Sequence, residues 1–246
     1  MRFLLSLKYY MDIGLSFLLG GCECVCCGTI SYVGPICPQC QNNKLLTWVP
    51  ASNRCSCCGK ELISEIGTCI GCREKNLLVH VSKMLPLHNY SGWKKELLFL
   101  WKSADTRQLS RVFARVFSSA LVKELNPDKV IPLVPVPPRP GKIRKKGWDQ
   151  IQDICKYLKA DGFSILPLLE RTNVQQQKKL NRQGRLENLG KTYSIHKKNI
   201  RIYGVPKQAI IIDDILTTGV TLETCAGALK EAGVESVFAC TLFSVC

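Results

Sequence analysis

No run of apolar residues in this chain is long enough and clean enough to cross a bilayer. The most apolar candidate, Met1–Gly21, is interrupted by Lys8 and Asp12, which also makes it a poor secretory leader. Weakening the case for secretion weakens the disulfide reading of the cysteines with it. Two phosphate signatures are missing as well: there is no GKS or GKT of a nucleotide P-loop, and the glycines are too few for a dinucleotide fingerprint. Acid is scarce, with 19 Asp+Glu against 34 Lys+Arg and a net charge of +15. The deficit is uneven: residues 1–75 hold five acids against seven bases, and residues 76–246 hold 14 against 27. Such an excess favours polyanions: nucleotides, pyrophosphate, nucleic acid or an anionic surface.

Cysteine is what the chain has in plenty. Eleven of 15 fall between Cys22 and Cys72, in two similar units. The first is Cys24-x₂-Cys27-Gly28 with Cys37-x₂-Cys40; the second is Cys55-x₂-Cys58-Gly59 with Cys69-x₂-Cys72. Each CxxC turn points two thiolates at one ion, and two turns complete the closed tetrahedral set of a structural zinc. Residues 22–75 therefore read as two zinc ribbons, with cross-braced pairing of the turns left open. Cys22, Cys26 and Cys57 fall outside the pattern, as free thiols or as competing ligands. A Cys₄ zinc site carries about −2 locally, so the ribbons do not form the main nucleic-acid surface. Residues 1–21 read as an amphipathic lead-in helix. Phe3, Leu4, Leu7, Tyr10, Met11 and Leu15 share the face that packs on the protein, and peripheral membrane contact is the residual role.

The stretch Lys207–Thr221 organises the remainder. Ala209–Ile212 suits a strand buried on both faces, closed by Asp213 and Asp214. Thr217-Thr218-Gly219 turns, Thr221 opens a helix with Leu222, Cys225, Ala226 and Leu229 inward, and Ser236–Phe243 is strand-like again. In a parallel sheet this places the turn at the carboxyl end of the strand, where open α/β sheets bind ligands. Threonine hydroxyls, a glycine turn and a helix N-terminus suit a phosphate monoester. The paired acids would repel it and belong on sugar hydroxyls or Mg²⁺, so a sugar phosphate satisfies both demands.

Upstream, Val79–Leu87 is a possible strand, and Trp93–Trp101 and Leu109–Leu125 are helical, with Arg107, Arg111 and Arg115 on a solvated face. Val130–Val136 reads as the first core strand. Pro137, Pro138 and Pro140 then stiffen a loop that carries Arg139, Lys142, Arg144, Lys145 and Lys146. These cations are placed to grip a second anion, and Trp148 beside them offers a stacking face for single-stranded nucleic acid. Phe163–Val205 is polar and basic and reads as a hood over the loops rather than core.

IIIDDILTTGVT resembles the phosphoribosyl pyrophosphate (PRPP) motif of type I phosphoribosyltransferases. The resemblance implies that family's α/β fold, a parallel sheet flanked by helices, over residues 76–246. It puts Asp213 and Asp214 on the ribose hydroxyls as the catalytic pair, and Ile215, Leu216, Thr217, Thr218, Gly219 and Thr221 around the 5-phosphate. Val136, Pro137 and Arg139 would face the pyrophosphate. Over nearly its whole length the chain is similar to the ComF family. The matching pieces are the cysteine ribbons, Tyr90, Lys102, Pro135-Val136-Pro137, KGWDQ, Arg171, Gln177, Leu180, Arg185, Asn188 and the acid pair. In the family KGWDQ usually reads RGFNQ, so Asp149 puts an acid where an amide stands.

This second resemblance implies a cytoplasmic protein, with any membrane contact peripheral at the inner membrane, that serves natural transformation by helping to import or process DNA. It implies PRPP binding with Mg²⁺, and adds Lys102 and Arg171 to Arg144, Lys145, Lys146 and Trp148 as contacts for pyrophosphate or single-stranded DNA. Two readings follow. One is a binding protein whose ribbons dock a translocation partner such as a helicase. The other is a Mg²⁺-dependent phosphoribosyltransferase of unknown acceptor, similar to an amidophosphoribosyltransferase without the glutaminase domain, since the chain starts Met1-Arg2 and not with a cysteine nucleophile.

Overall fold

The computed structural model describes residues 2–74, 78–171 and 192–245. Helix α1 (Arg2–Leu18) leads into the first cysteine unit, which holds β1 (Cys22–Glu23), β2 (Ile30–Ser31) and the single turn α2 (Pro38–Cys40). The second unit ends in α3 (Ile70–Glu74). Then come β3 (Lys83–Asn89), α4 (Trp93–Lys102), α5 (Gln108–Glu124), β4 (Leu133–Pro135), α6 (Lys142–Lys146) and α7 (Gln150–Ala160). A short hairpin, β5 (Leu169–Arg171) and β6 (Tyr193–Ile195), precedes α8 (Lys197–Tyr203), and the chain closes on β7 (Gln208–Leu216), α9 (Val220–Glu231) and β8 (Ser236–Ser244).

Four strands form one sheet in the order β3-β8-β7-β4, and every pairing is parallel. Parallel strands need crossovers that cover the faces, which is why the central strands can be apolar on both sides. Leu85, Ile210, Ile212, Cys240 and Leu242 face a layer built by α4, α5, α7 and the first cysteine unit. Ala209, Ile211, Val237 and Ala239 face α9 and the hairpin. Trp101, Phe113 and Phe243 interlock edge-on in the first layer, with centroids 4.9 and 5.8 Å apart.

Several expectations change. Val130–Val136 is not the first core strand: Lys83–Asn89 precedes it on the opposite edge of the sheet, and only Leu133–Pro135 pairs, at the β4 edge. That edge position suits Pro132 and Pro135, which lack an N–H. The β7 strand does not stop at the acids but pairs with β8 through Leu216, because the ladder depends on backbone groups. The arginine stripe of α5 is not simply solvated. Arg107 pairs with Asp153 of α7 at 3.0 Å, and Arg115 donates to Gln41 of the first cysteine unit at 3.3 Å. Within Phe163–Val205, Phe163, Leu168, Leu169 and Tyr193 are buried, so the described ends of that segment belong to the core. Helix α1 forms, but it presents Leu7, Tyr10, Met11 and Leu15 to solvent, at 49–68% exposure; the side chains of Phe3 and Leu4 lie outside the described residues.

The second cysteine unit covers the outer edge of β3. Arg54 donates to Val49 O (2.8 Å), Gly59 O (3.0 Å) and Pro86 O. Gly59, at φ +70°, packs so tightly on the strand that a Cβ would lie 2.4 Å from Met84 O. A covered edge offers no free ladder to another chain.

Candidate functional site

The carboxyl edge of the sheet gathers most of the expected site. Leu216 ends β7, Thr217 and Thr218 are exposed, and Gly219 turns at φ +79° to start α9. Leu78 packs under Gly219, where a Cβ would meet it at 3.1 Å, so the turn is supported from beneath and open above. Thr221 is half-buried, and its side chain lies close enough to the phenol of Tyr193 for the two to interact. Backbone N–H groups at this helix start remain the natural anion donors.

The adjacent acids point to opposite faces of the sheet, as alternate strand residues do. Asp214 follows Ile210 and Ile212, and its Oδ2 lies 2.7 Å from Lys102 Nζ at the end of α4. Asp213 follows Ala209 and Ile211, and its charge is felt by Tyr193 and by Cys225 of α9. Burial, and then the charge of Asp214, push the Asp213 carboxyl up to about 8. The two are therefore not interchangeable: one is an ion-paired carboxylate, the other a desolvated acid that resists ionising.

Val136 is buried beside β7 and donates its N–H to Ile212 O at 3.1 Å, so Pro137 and the loop after it begin level with the acids. Arg139, Arg144 and Lys145 are exposed there. Lys146 and Trp148 are not. Lys146 reaches Asp105 at 2.9 Å and donates to the carbonyl of Lys102. Trp148 is 5% exposed, donates to Asp105 at 3.2 Å and lies between Arg107 and Lys146, so it offers no stacking face. Asp149 caps α7 by accepting from Gln152 N at 3.0 Å and pairs with Lys142 at 2.6 Å. An acid where an amide was expected thus acts as a helix cap and a counter-ion. KGWDQ is a brace that fixes the end of α4, and with it Lys102.

On the other face, Arg171 stacks on Tyr193 at 5.2 Å, and among the described residues its buried Nε has no hydrogen-bond partner. Gln177, Leu180, Arg185 and Asn188 lie outside the described residues. Asp105 and Tyr193 were missed in the sequence. Asp105 sits at φ +55° in the turn between α4 and α5, a position that favours Asp, Asn or Gly, and this is the one signal it carried. Tyr193 gave none.

The cysteines settle into two groups of four, Cys24/Cys27/Cys37/Cys40 and Cys55/Cys58/Cys69/Cys72, with sulfurs within 4.8 Å of one another. The turns therefore pair in tandem and do not cross. Cys27–Cys37 and Cys58–Cys69 sulfurs are 3.8 and 3.7 Å apart. A tetrahedral zinc with Zn–S of ~2.3 Å requires S–S distances of about 3.8 Å, so the donor sets fit that ion. Backbone N–H groups of Cys37 and Cys69 donate to Cys24 and Cys55 Sγ at 3.3 Å, as thiolates need. Hydrogen bonds from Thr29 hold the Cys27 thiol down to about 6.

What the fold and its carboxyl edge define is a phosphoribosyltransferase-domain protein with two four-cysteine groups, each fit to hold a metal ion, toward its N-terminus. Residues 177–245 match the family model for the phosphoribosyl transferase domain. The chain is 30% identical over 183 residues to Competence protein ComFC of Bacillus subtilis, covering 73% of this chain and 72% of that protein. It is 32% identical over 123 residues to Competence protein ComFC of Streptococcus pneumoniae, covering 50% of this chain and 52% of that protein. The chain belongs to the ComFC family. Among the described residues no helix is long and apolar enough to cross a membrane.

Proposed function

We propose that the carboxyl edge binds PRPP, or a closely related phosphoribosyl ligand, and that the protein uses this site in handling single-stranded DNA during transformation. The observation that carries it is the Lys102–Asp214 pair, 2.7 Å apart, beside a glycine turn that opens a helix. The turn and the α9 N-terminus take the 5-phosphate; Asp214 accepts from ribose hydroxyls; Lys102 and Arg139 lie toward the pyrophosphate, with Arg171 reserved for an anion on the α9 side. Because Asp213 and Asp214 diverge, they do not converge on one ion. Mg²⁺ fits best as an ion carried by the ligand's own oxygens, keeping most of its waters, with Asp214 the nearest protein carboxylate. Mg²⁺ there would neutralise charge on the pyrophosphate. Arg139, Arg144 and Lys145, exposed on one loop, supply phosphate contacts for DNA.

Calorimetric titration with PRPP and Mg²⁺ tests this. Saturable binding is expected for the wild type, with at least about tenfold weakening in Asp214→Asn, equivalent to ~1.4 kcal/mol. Arg144→Ala/Lys145→Ala should weaken DNA binding and flatten its salt dependence while PRPP binding stays intact. Absence of PRPP binding by the wild type would end the proposal. Transfer to an acceptor is the second reading, favoured by a lysine held at the acid pair where leaving-group charge would develop. Pyrophosphate release in the presence of nucleobases or amines would establish it.

A further inference from the structure

A cavity of about 430 Å³ lies between the two cysteine units, the end of β3 and the start of α4. That volume falls in the range of small-ligand sites. Two cations stand in its wall, Arg54 and Lys94. Arg54 is 9% exposed, and its guanidinium is held by carbonyls alone: those of Val49, Gly59 and Pro86, and Leu87 O at 3.4 Å. Carbonyl dipoles orient a buried charge without cancelling it. Lys94 is half-buried in the first turn of α4, where the helix dipole favours acids instead. Among the described residues neither cation forms an ion pair. The wall holds one acid, Glu61, so the cavity keeps a positive balance.

The same wall carries a flat apolar surface. Trp48 is fixed there by its Nε1–H bond to Glu124 at 3.1 Å, and Pro50 and Leu87 share the lining. Cations beside a fixed indole call for a ligand that is anionic and aromatic at once. Asn89 of the lining is level with Ser244, and Ser244 with Leu216, in the parallel ladder. The cavity therefore stands off the end of β7 by two strand spacings, about 10 Å, and is separate from the glycine turn.

We propose that this cavity binds one nucleoside monophosphate, free or as a unit of a single strand, with its phosphate on Lys94 and Arg54 and its base against Trp48. Glu61 and Asn89 supply acceptors for the exocyclic amino group of the base. No ligand at the carboxyl edge is required, so this site does not depend on the PRPP proposal.

Calorimetric titration of the zinc-loaded protein with dAMP tests it. Saturable binding is expected for the wild type. It should weaken at least about tenfold for deoxyadenosine, which lacks the phosphate, and for dAMP in Lys94→Gln. Trp48→Leu, checked for two bound zinc ions and wild-type unfolding, should weaken dAMP to a similar degree. Saturating PRPP with Mg²⁺ should leave dAMP binding unchanged, as should Asp214→Asn. An oligodeoxyadenylate that displaces dAMP, and binds more weakly to Lys94→Gln, identifies a strand as the source; dAMP that it does not displace identifies the free nucleotide. No saturable dAMP binding, equal dAMP affinity in wild type and Lys94→Gln, or displacement of dAMP by PRPP would overturn the proposal.

Discussion

The two cysteine units are near-copies in sequence and in sulfur geometry, yet the molecule treats them differently. Cys24, Ile36 and Leu45 of the first are 0–2% exposed and share one core with Leu87, Phe113 and Phe117. His88 of β3 seals the join through Leu45 O at 3.0 Å, its ring held neutral because burial drives its pKa down to about 4. The second unit leaves Ile63, Ile66 and Ile70 at 60–95% exposure and rests on the sheet through Arg54 and Gly59. Equal four-cysteine geometry thus serves two ends: the first unit completes the core beside the sheet, and the second covers an edge and projects apolar tips. What decides the role is the surface each unit meets, which the CxxC spacing does not record.

The sharpest way to break this contrast is to remove one ligand from each unit. A structural zinc contributes on the order of 10 kcal/mol to the fold it closes. Cys40→Ser should therefore lower the stability of the whole chain by more than about 5 kcal/mol, since part of that loss enters the shared core. Cys72→Ser should shift the main unfolding transition by less than about 1 kcal/mol, while releasing its own zinc. Thermal unfolding followed by the fluorescence of the buried Trp101 and Trp148 reads the difference. Equal losses would mean that the two units are equally integrated. A smaller cut asks the same question without touching metal: Leu45→Ala should cost about 2–5 kcal/mol as a core cavity, and Ile63→Ser less than about 0.5 kcal/mol.

Arg54→Ala probes the attachment of the second unit. Its guanidinium serves carbonyls of both the unit and β3, and a charge-assisted bond is worth about 1.5–3 kcal/mol with water readmitted to part of the gap. The expected loss is about 2–3 kcal/mol, with proteolysis of the second unit preceding global unfolding. Proteolysis that waits for global unfolding would show that the edge is held by other contacts.

What could be read from the sequence follows the same line. The strand–turn–helix–strand of Gln208–Ser244 was legible because its periodicity is local: an apolar β-branched run, a glycine turn, a helical stripe. The cysteine groups were legible because metal geometry fixes spacing. Trp148 was misread because an aromatic between cations looks like a stacking face, and its burial depends on Asp105, 43 residues away. The exposed face of α1 was equally out of reach, since amphipathicity gives the direction of the stripe and not what it faces.

Asp213 and Asp214 repeat the contrast between near-twins at the scale of two residues, and pH separates them. Asp213 is raised from its ordinary 3.8 to about 8, so the folded chain keeps a proton that the unfolded chain gives up. Stability contributed by a retained proton is present below the unfolded value and lost as pH climbs to the folded one. Between those limits ΔG of unfolding falls with pH, and above them the penalty is complete. Asp213→Asn removes the penalty while keeping the size of the side chain. It should match the wild type near about pH 4 and gain about 1–2 kcal/mol near about pH 9, a discount from the full shift because the carboxyl is not wholly sealed from water. Asp214→Asn should show a smaller gain, since it removes a charge that helps to raise Asp213 but strands Lys102 without its acid. A flat pH profile for Asp213→Asn, or the same gain in both variants, would mean that the two carboxylates share one environment and that the division of labour across the sheet is not real.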